Sequence, residues 1–191
     1  YREVYDILGK QTASWPGPAL TISGSATSMY MPNFWGHDEN LMYYRNHVYP
    51  LMGPGWGATA DYILLSNGDT IDVALFSDWN FWSDGGAFTC FDKDEYTVKA
   101  GETLTFNTLK YETKSVADGG SESFQPVEGM TVKLYNEQWT ELAEIAPAGS
   151  GDAFQYVVNE KPGTYYLLAV DPKAGSDAAR LAPATARLRV S

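Results

Sequence analysis

From Tyr96 onward the chain repeats one pattern: short runs of alternating apolar and polar residues, broken by glycine and proline. A period of two sends alternate side chains to opposite faces, so such a run can bury one side only as a β-strand. Leu104 and Phe106 alternate with Thr103, Thr105 and Asn107; Val132 and Leu134 with Thr131 and Lys133; Leu188 and Val190 with Arg187 and Arg189. Phe154, Tyr156 and Val158 form another set, and Tyr165, Leu167 and Ala169 another. Regular short strands without a helical period predict a β-sandwich over residues 92–191.

The first half is less regular. Tyr1, Val4, Tyr5 and Leu8 recur at helical spacing, with Gly9 as a C-terminal cap, and predict one short helix. After the breaker Trp15-Pro16-Gly17-Pro18 come two strand candidates, Ala19–Ser23 and Leu41–Tyr44, with Met29–Gly36 between them read as an aromatic-rich loop. Ser66-Asn67-Gly68-Asp69 is a turn signal, and Thr70–Phe76 reads as a half-buried strand. The predicted fold class is mainly β with minor α: an aromatic-rich α+β domain over residues 1–91, then the sandwich. The polar run Asp92-Lys93-Asp94-Glu95 is the expected hinge.

Composition removes several functions. The 191 residues suit two small domains or one large one. At 44% hydrophobic and 14% aromatic the chain is too apolar for disorder. With 13 basic and 24 acidic residues the formal net charge is −11, which argues against nucleic acid as a partner. No apolar run approaches the ~20 residues of a membrane-spanning segment. Cys90 is the only cysteine, so no intrachain disulfide and no cysteine-based zinc site can form. His37 and His47 lack ligand spacing, and neither a metal nor a cofactor is expected. The sequence opens at Tyr1 and reads as a mature fragment.

The most distinctive stretch is Ser77–Gly86, where Asp78, Trp79, Phe81, Trp82 and Asp84 crowd ahead of a glycine pair. Aromatic faces of this kind either pack or bind flat ligands, so these five are the candidate ligand-binding residues, with Trp35 and Trp56 as further exposed-tryptophan candidates. Asp78 and Asp84 could instead bond turn N–H groups or serve as paired carboxylates. Asp92, Asp94 and Glu95 could hold calcium at the hinge or remain solvated. His37-Asp38-Glu39 with His47 could sketch an acid–base or metal site, or belong to a polar loop. Ser23 and Ser150 lack the strand–turn–helix setting of a nucleophile, no phosphate-binding glycine loop occurs, and no catalytic residue is assigned. Cys90, in an apolar stretch, reads as a buried inert thiol.

Two resemblances follow from particular residues. Val98–Leu104, Pro126–Val132 and Lys161–Ala169, with its Pro162-Gly163-Thr164-Tyr165 lead into a late strand, resemble an immunoglobulin-like or carboxypeptidase-regulatory-like module of bacterial surface proteins. Asn40–Asn46 and Ser66–Val73 resemble the family of unknown function that is similar to the C-terminal β-grasp domain of transcobalamin and intrinsic factor. In that pattern His47 stands where glycine is usual and Asn67 replaces an aspartate. The resemblances imply a β-grasp-like domain followed by an immunoglobulin-like sandwich, in a bacterial protein that is secreted or held at the cell surface. Cobalamin binding is not implied, since in the animal proteins it needs a second domain. The expected function is non-enzymatic, adhesion or ligand binding, with an unknown extracellular protein or glycan as partner. The alternatives are a carbohydrate-binding module using exposed tryptophans and a carboxylate-dependent hydrolase. A sugar binder would carry a coplanar exposed aromatic strip flanked by amides or acids.

Overall fold

The computed structural model describes residues 20–25, 28–34, 41–53, 56–57, 63–75, 86–113, 122–149, 151–174, 176 and 178–191. They are mainly β, and no helix occurs among them. The helix expected at Tyr1–Leu8 lies outside the described residues. The chain forms two compact units, Tyr1–Asn80 with Thr113–Glu122, and Phe81–Glu112 with Ser123–Ser191.

In the first unit, β1 (Leu20–Ser25) pairs antiparallel with β2 (Ser28–Phe34). The second of these strands corrects the expected loop. Pro32 looks like a breaker, but the register slips where Met31 and Pro32 together oppose Ile22, and a proline is tolerated at such a bulge because no ladder donor is needed there. β3 (Leu41–Arg45) pairs antiparallel with β6 (Ile71–Leu75), and β4 (Leu51–Gly53) with β5 (Trp56–Gly57).

The second unit holds β7 (Phe88–Phe91), β8 (Glu95–Val98), β9 (Thr103–Thr113), β10 (Glu122–Pro126), β11 (Thr131–Asn136), β12 (Glu141–Ile145), β13 (Pro147–Ala148), β14 (Ala153–Val157), β15 (Gly163–Val170) and β16 (Ala184–Val190). One sheet runs β10-β9-β14-β13, with β7 also on β9; the other runs β12-β11-β15-β16-β8. The long strand β9 pairs with β14 over Thr103–Asn107 and with β7 over Thr108–Tyr111. The pairings given a register are antiparallel except β8 on β16, which is parallel.

Alternate residues of the two sheets meet in one core. Phe106 and Phe154, cross-strand partners on β9 and β14, stack at 5.2 Å and lie in the same cluster as Val132, Leu134, Leu167 and Leu188 of the other sheet. Phe91 meets Phe106 edge-on at 5.6 Å, an arrangement that suits the ring quadrupoles.

The division expected at Phe91/Asp92 falls inside this unit, between β7 and β8. All four residues of β7 are buried, Ala87 N–H donates to Arg180 O (2.8 Å), and Ala182 N–H donates to Ala87 O (3.0 Å). β7 is therefore a sandwich strand, and the polar run after it is a short link that carries the chain from one sheet to the other.

Candidate functional site

The five residues singled out beside the glycine pair, Asp78, Trp79, Phe81, Trp82 and Asp84, lie outside the described residues, as do Trp35, His37, Asp38, Glu39 and Ser150. Ser23 falls in β1 and Trp56 in β5. Cys90 is buried in β7.

His47 and Asp69 belong to a clasp between two turns. Arg45 and Val48 exchange backbone hydrogen bonds (2.9 and 3.0 Å) around Asn46 (φ 51°) and His47 (φ 65°), a two-residue hairpin turn with both central residues left-handed. Asn46 Oδ1 accepts from Thr70 N–H (2.9 Å), and its Nδ2 donates to Asp69 Oδ1 (2.7 Å). Asp69 Oδ2 accepts from Ser66 N–H (2.6 Å) and Arg45 Nε (2.8 Å). The Asn46 side chain, then the Ser66 N–H and Arg45, hold the Asp69 carboxyl down at about 2. His47 Nδ1 lies 2.7 Å from Asp72 Oδ2. In this clasp His47 meets a carboxylate of the neighbouring strand β6.

Two carboxylates of the expected hinge, Asp92 and Glu95, are taken up by the fold. Asp92 Oδ1 accepts from Asn107 N–H (3.0 Å) and from the Tyr96 hydroxyl, whose pKa is pushed up by burial and by Asp92. Glu95 is gripped by Arg187 (2.8 Å) and Arg189 (2.7 Å). Asp171 accepts from Lys173, Arg180 and Leu181 N–H at 2.7–3.0 Å; burial opposes its charge, but these bonds together outweigh burial and hold the carboxyl below its ordinary range. Among the described residues, no three His, Cys, Asp or Glu side chains gather as a metal site.

The outward face of the β12-β11-β15-β16-β8 sheet offers different chemistry. Pairing puts Glu141, Tyr135, Tyr166, Arg187 and Glu95 in one row across five strands. Trp139, in the β11–β12 turn, reaches this row: its ring stacks on Tyr166 at 4.9 Å and 18°, and meets Tyr135 at 5.5 Å and 39°. All three rings are half-buried. The turn is fixed by Asn136, whose O accepts from Trp139 N–H (2.9 Å) and whose Oδ1 accepts from the N–H groups of Gln138 and Thr140 (both 2.9 Å). Trp139 closes it at φ 58°, a conformation that glycine adopts freely and that costs a large side chain roughly 1–2 kcal/mol.

Ion pairs border the rings. Lys133 Nζ and Glu141 Oε2 lie 2.9 Å apart on one side, and Glu95 with its two arginines lies on the other. Sequence reasoning centred on the tryptophans of the first half and passed over Trp139. The available signal was Asn136-Glu137-Gln138-Trp139: an asparagine opening a hairpin whose left-handed position carries an aromatic where glycine is favoured. No helix among the described residues is long and apolar enough to cross a membrane. No family model matches the chain, and no curated protein sequence matches it.

Proposed function

We propose that this chain is a non-enzymatic module of a secreted or surface-anchored bacterial protein, where it contributes to adhesion by binding a ligand. On this reading the second unit is an immunoglobulin-like sandwich and the first is β-grasp-like. The strand order supports the former: with β10 and the parallel edge strand β8 set aside as additions, β7-β9-β14-β13 opposite β16-β15-β11-β12 follows the immunoglobulin order, ABED and GFC with an added C′ strand. Pairing of β3 with β6, joined by the Asn46 clasp, supports a compact sheet in the first unit at the residues that carry the β-grasp resemblance.

The observation that carries the binding role is Trp139. A residue held at φ 58° to bring its ring onto an outward sheet face carries backbone strain, and strain of that kind concentrates at sites of function. The carboxylates of Asp69, Asp92 and Asp171 all accept backbone N–H groups and so serve the fold. The test is adhesion of beads coated with the full chain to surfaces coated with mucin or serum glycoproteins. Retention above an albumin surface is expected, with most of it lost in Trp139→Gly. Retention no greater than on albumin across every coat rejects the reading.

A further inference from the structure

We infer that the outward aromatic face of the second unit takes a neutral saccharide, with a sugar ring lying on the Trp139–Tyr166 stack. This rests on the ligand-binding reading above and adds the chemical class of the ligand.

Ring geometry is the first argument. Trp139 and Tyr166 are within 18° of parallel, and Tyr135 is tilted by 39°. Stacked rings cover each other's facing sides and leave one outer π-face of negative potential, which suits the polarised C–H groups along one face of a pyranose. A quaternary ammonium group asks for aromatic walls on several sides of the cation, and these rings do not form a box.

The border supplies the second argument. Lys133 with Glu141 and Arg187 with Glu95 place donors and acceptors together on opposite sides of the rings. A hydroxyl group both donates and accepts, so one sugar hydroxyl can meet an ammonium or guanidinium and a carboxylate at once. An apolar peptide side chain would gain no hydrogen bond from these pairs.

Charge is the third. The outward positions of this sheet carry Lys133, Arg187 and Arg189 against Glu95, Glu141 and Glu144, so they balance locally, on a chain whose formal net charge is −11. A sulfated or sialylated glycan would meet no excess of positive charge here and would be repelled by the whole chain. A neutral glycan has nothing to lose from either.

The experiment is a glycan array carrying neutral, sialylated and sulfated oligosaccharides, probed with the full chain and with Trp139→Gly and Tyr135→Ala. Glycine fits φ 58° without strain, so Trp139→Gly removes the ring while keeping the turn; circular dichroism checks the fold. Expected are signals on neutral glycans only, weakened at least about tenfold in Trp139→Gly. Tyr135→Ala, a second route should the first variant fail to fold, weakens the same signals. Three results overturn the inference: binding confined to acidic glycans, neutral-glycan binding untouched in folded variants, or no glycan bound. Periodate oxidation of the glycoprotein coats separates the two levels. Bead adhesion that survives oxidation discards the saccharide and keeps adhesion, whereas beads that adhere to no coat discard both.

Discussion

Trp139 and His47 sit at positive φ, 58° and 65°, where glycine is the unstrained choice. Each has a side-chain contact to set against the strain: the Tyr166 stack for Trp139 and the Asp72 bond for His47. The balance is testable by comparing glycine and alanine. Trp139→Gly loses the ring but relieves the backbone strain; Trp139→Ala loses the ring and keeps the strain. Urea titration should place the alanine variant about 1 kcal/mol below the glycine variant. The same order is expected at position 47, with His47→Gly within about 1 kcal/mol of the parent because the His47–Asp72 pair is partly exposed. Alanine equal to glycine at both sites would mean that the positive φ stores no strain. Asp69 makes a further residue-scale prediction. Its folded pKa is lowered to about 2 from an ordinary value of 3.8, so its contribution is complete above about pH 5. That contribution falls as pH drops through the folded value, and is gone below about pH 1. NMR of the side-chain carboxyl should follow this midpoint, and Asn46→Ala should move it upward, since the Asn46 amide is the largest cause.

Elements were legible where one face is buried and the other wet. The runs at Leu104–Phe106, Val132–Leu134 and Leu188–Val190 lie on β9, β11 and β16, with those side chains in the core. Phe154 and Val158 are fully buried, as the alternation predicts. Phe154→Ala should cost about 3–5 kcal/mol by opening a cavity against Phe106, read as a lower urea midpoint with an unchanged slope. β7 could not be read this way. Phe88, Thr89, Cys90 and Phe91 are all buried, so no period of two marks a wet face, and an apolar run without alternation says neither which sheet it joins nor that it is a strand. The polar residues after it looked like a linker because a link between sheets and a link between domains share the same chemistry. Trp139 escaped for another reason: turns are read from glycine, asparagine and proline, and an aromatic held left-handed by its neighbours has no composition signal of its own.

At the scale of the whole molecule, the position of β7 decides what can be separated from what. The second unit begins at Phe81 and closes its sheet edge with β7 along Thr108–Tyr111 of β9. A fragment of Phe81–Ser191 keeps every strand of that unit and should fold alone, with a β-type circular dichroism spectrum and one cooperative thermal transition. A fragment of Tyr96–Ser191, cut just past the polar link, loses three things. Phe88 and Phe91, each only 3% exposed, leave the interior. The backbone bonds between Ala87 and the Arg180–Ala182 segment are broken. The Asp92 carboxylate that accepts from Asn107 N–H and the Tyr96 hydroxyl is gone, leaving the partly buried phenol without its acceptor. Two buried phenylalanines alone are worth about 3–5 kcal/mol each, against a total stability of about 5–15 kcal/mol for a domain of this size. The shorter fragment should therefore be unfolded or barely folded at 25 °C under conditions where the longer one is native. Equal melting of the two fragments would remove β7 from the sandwich and restore the division at Phe91.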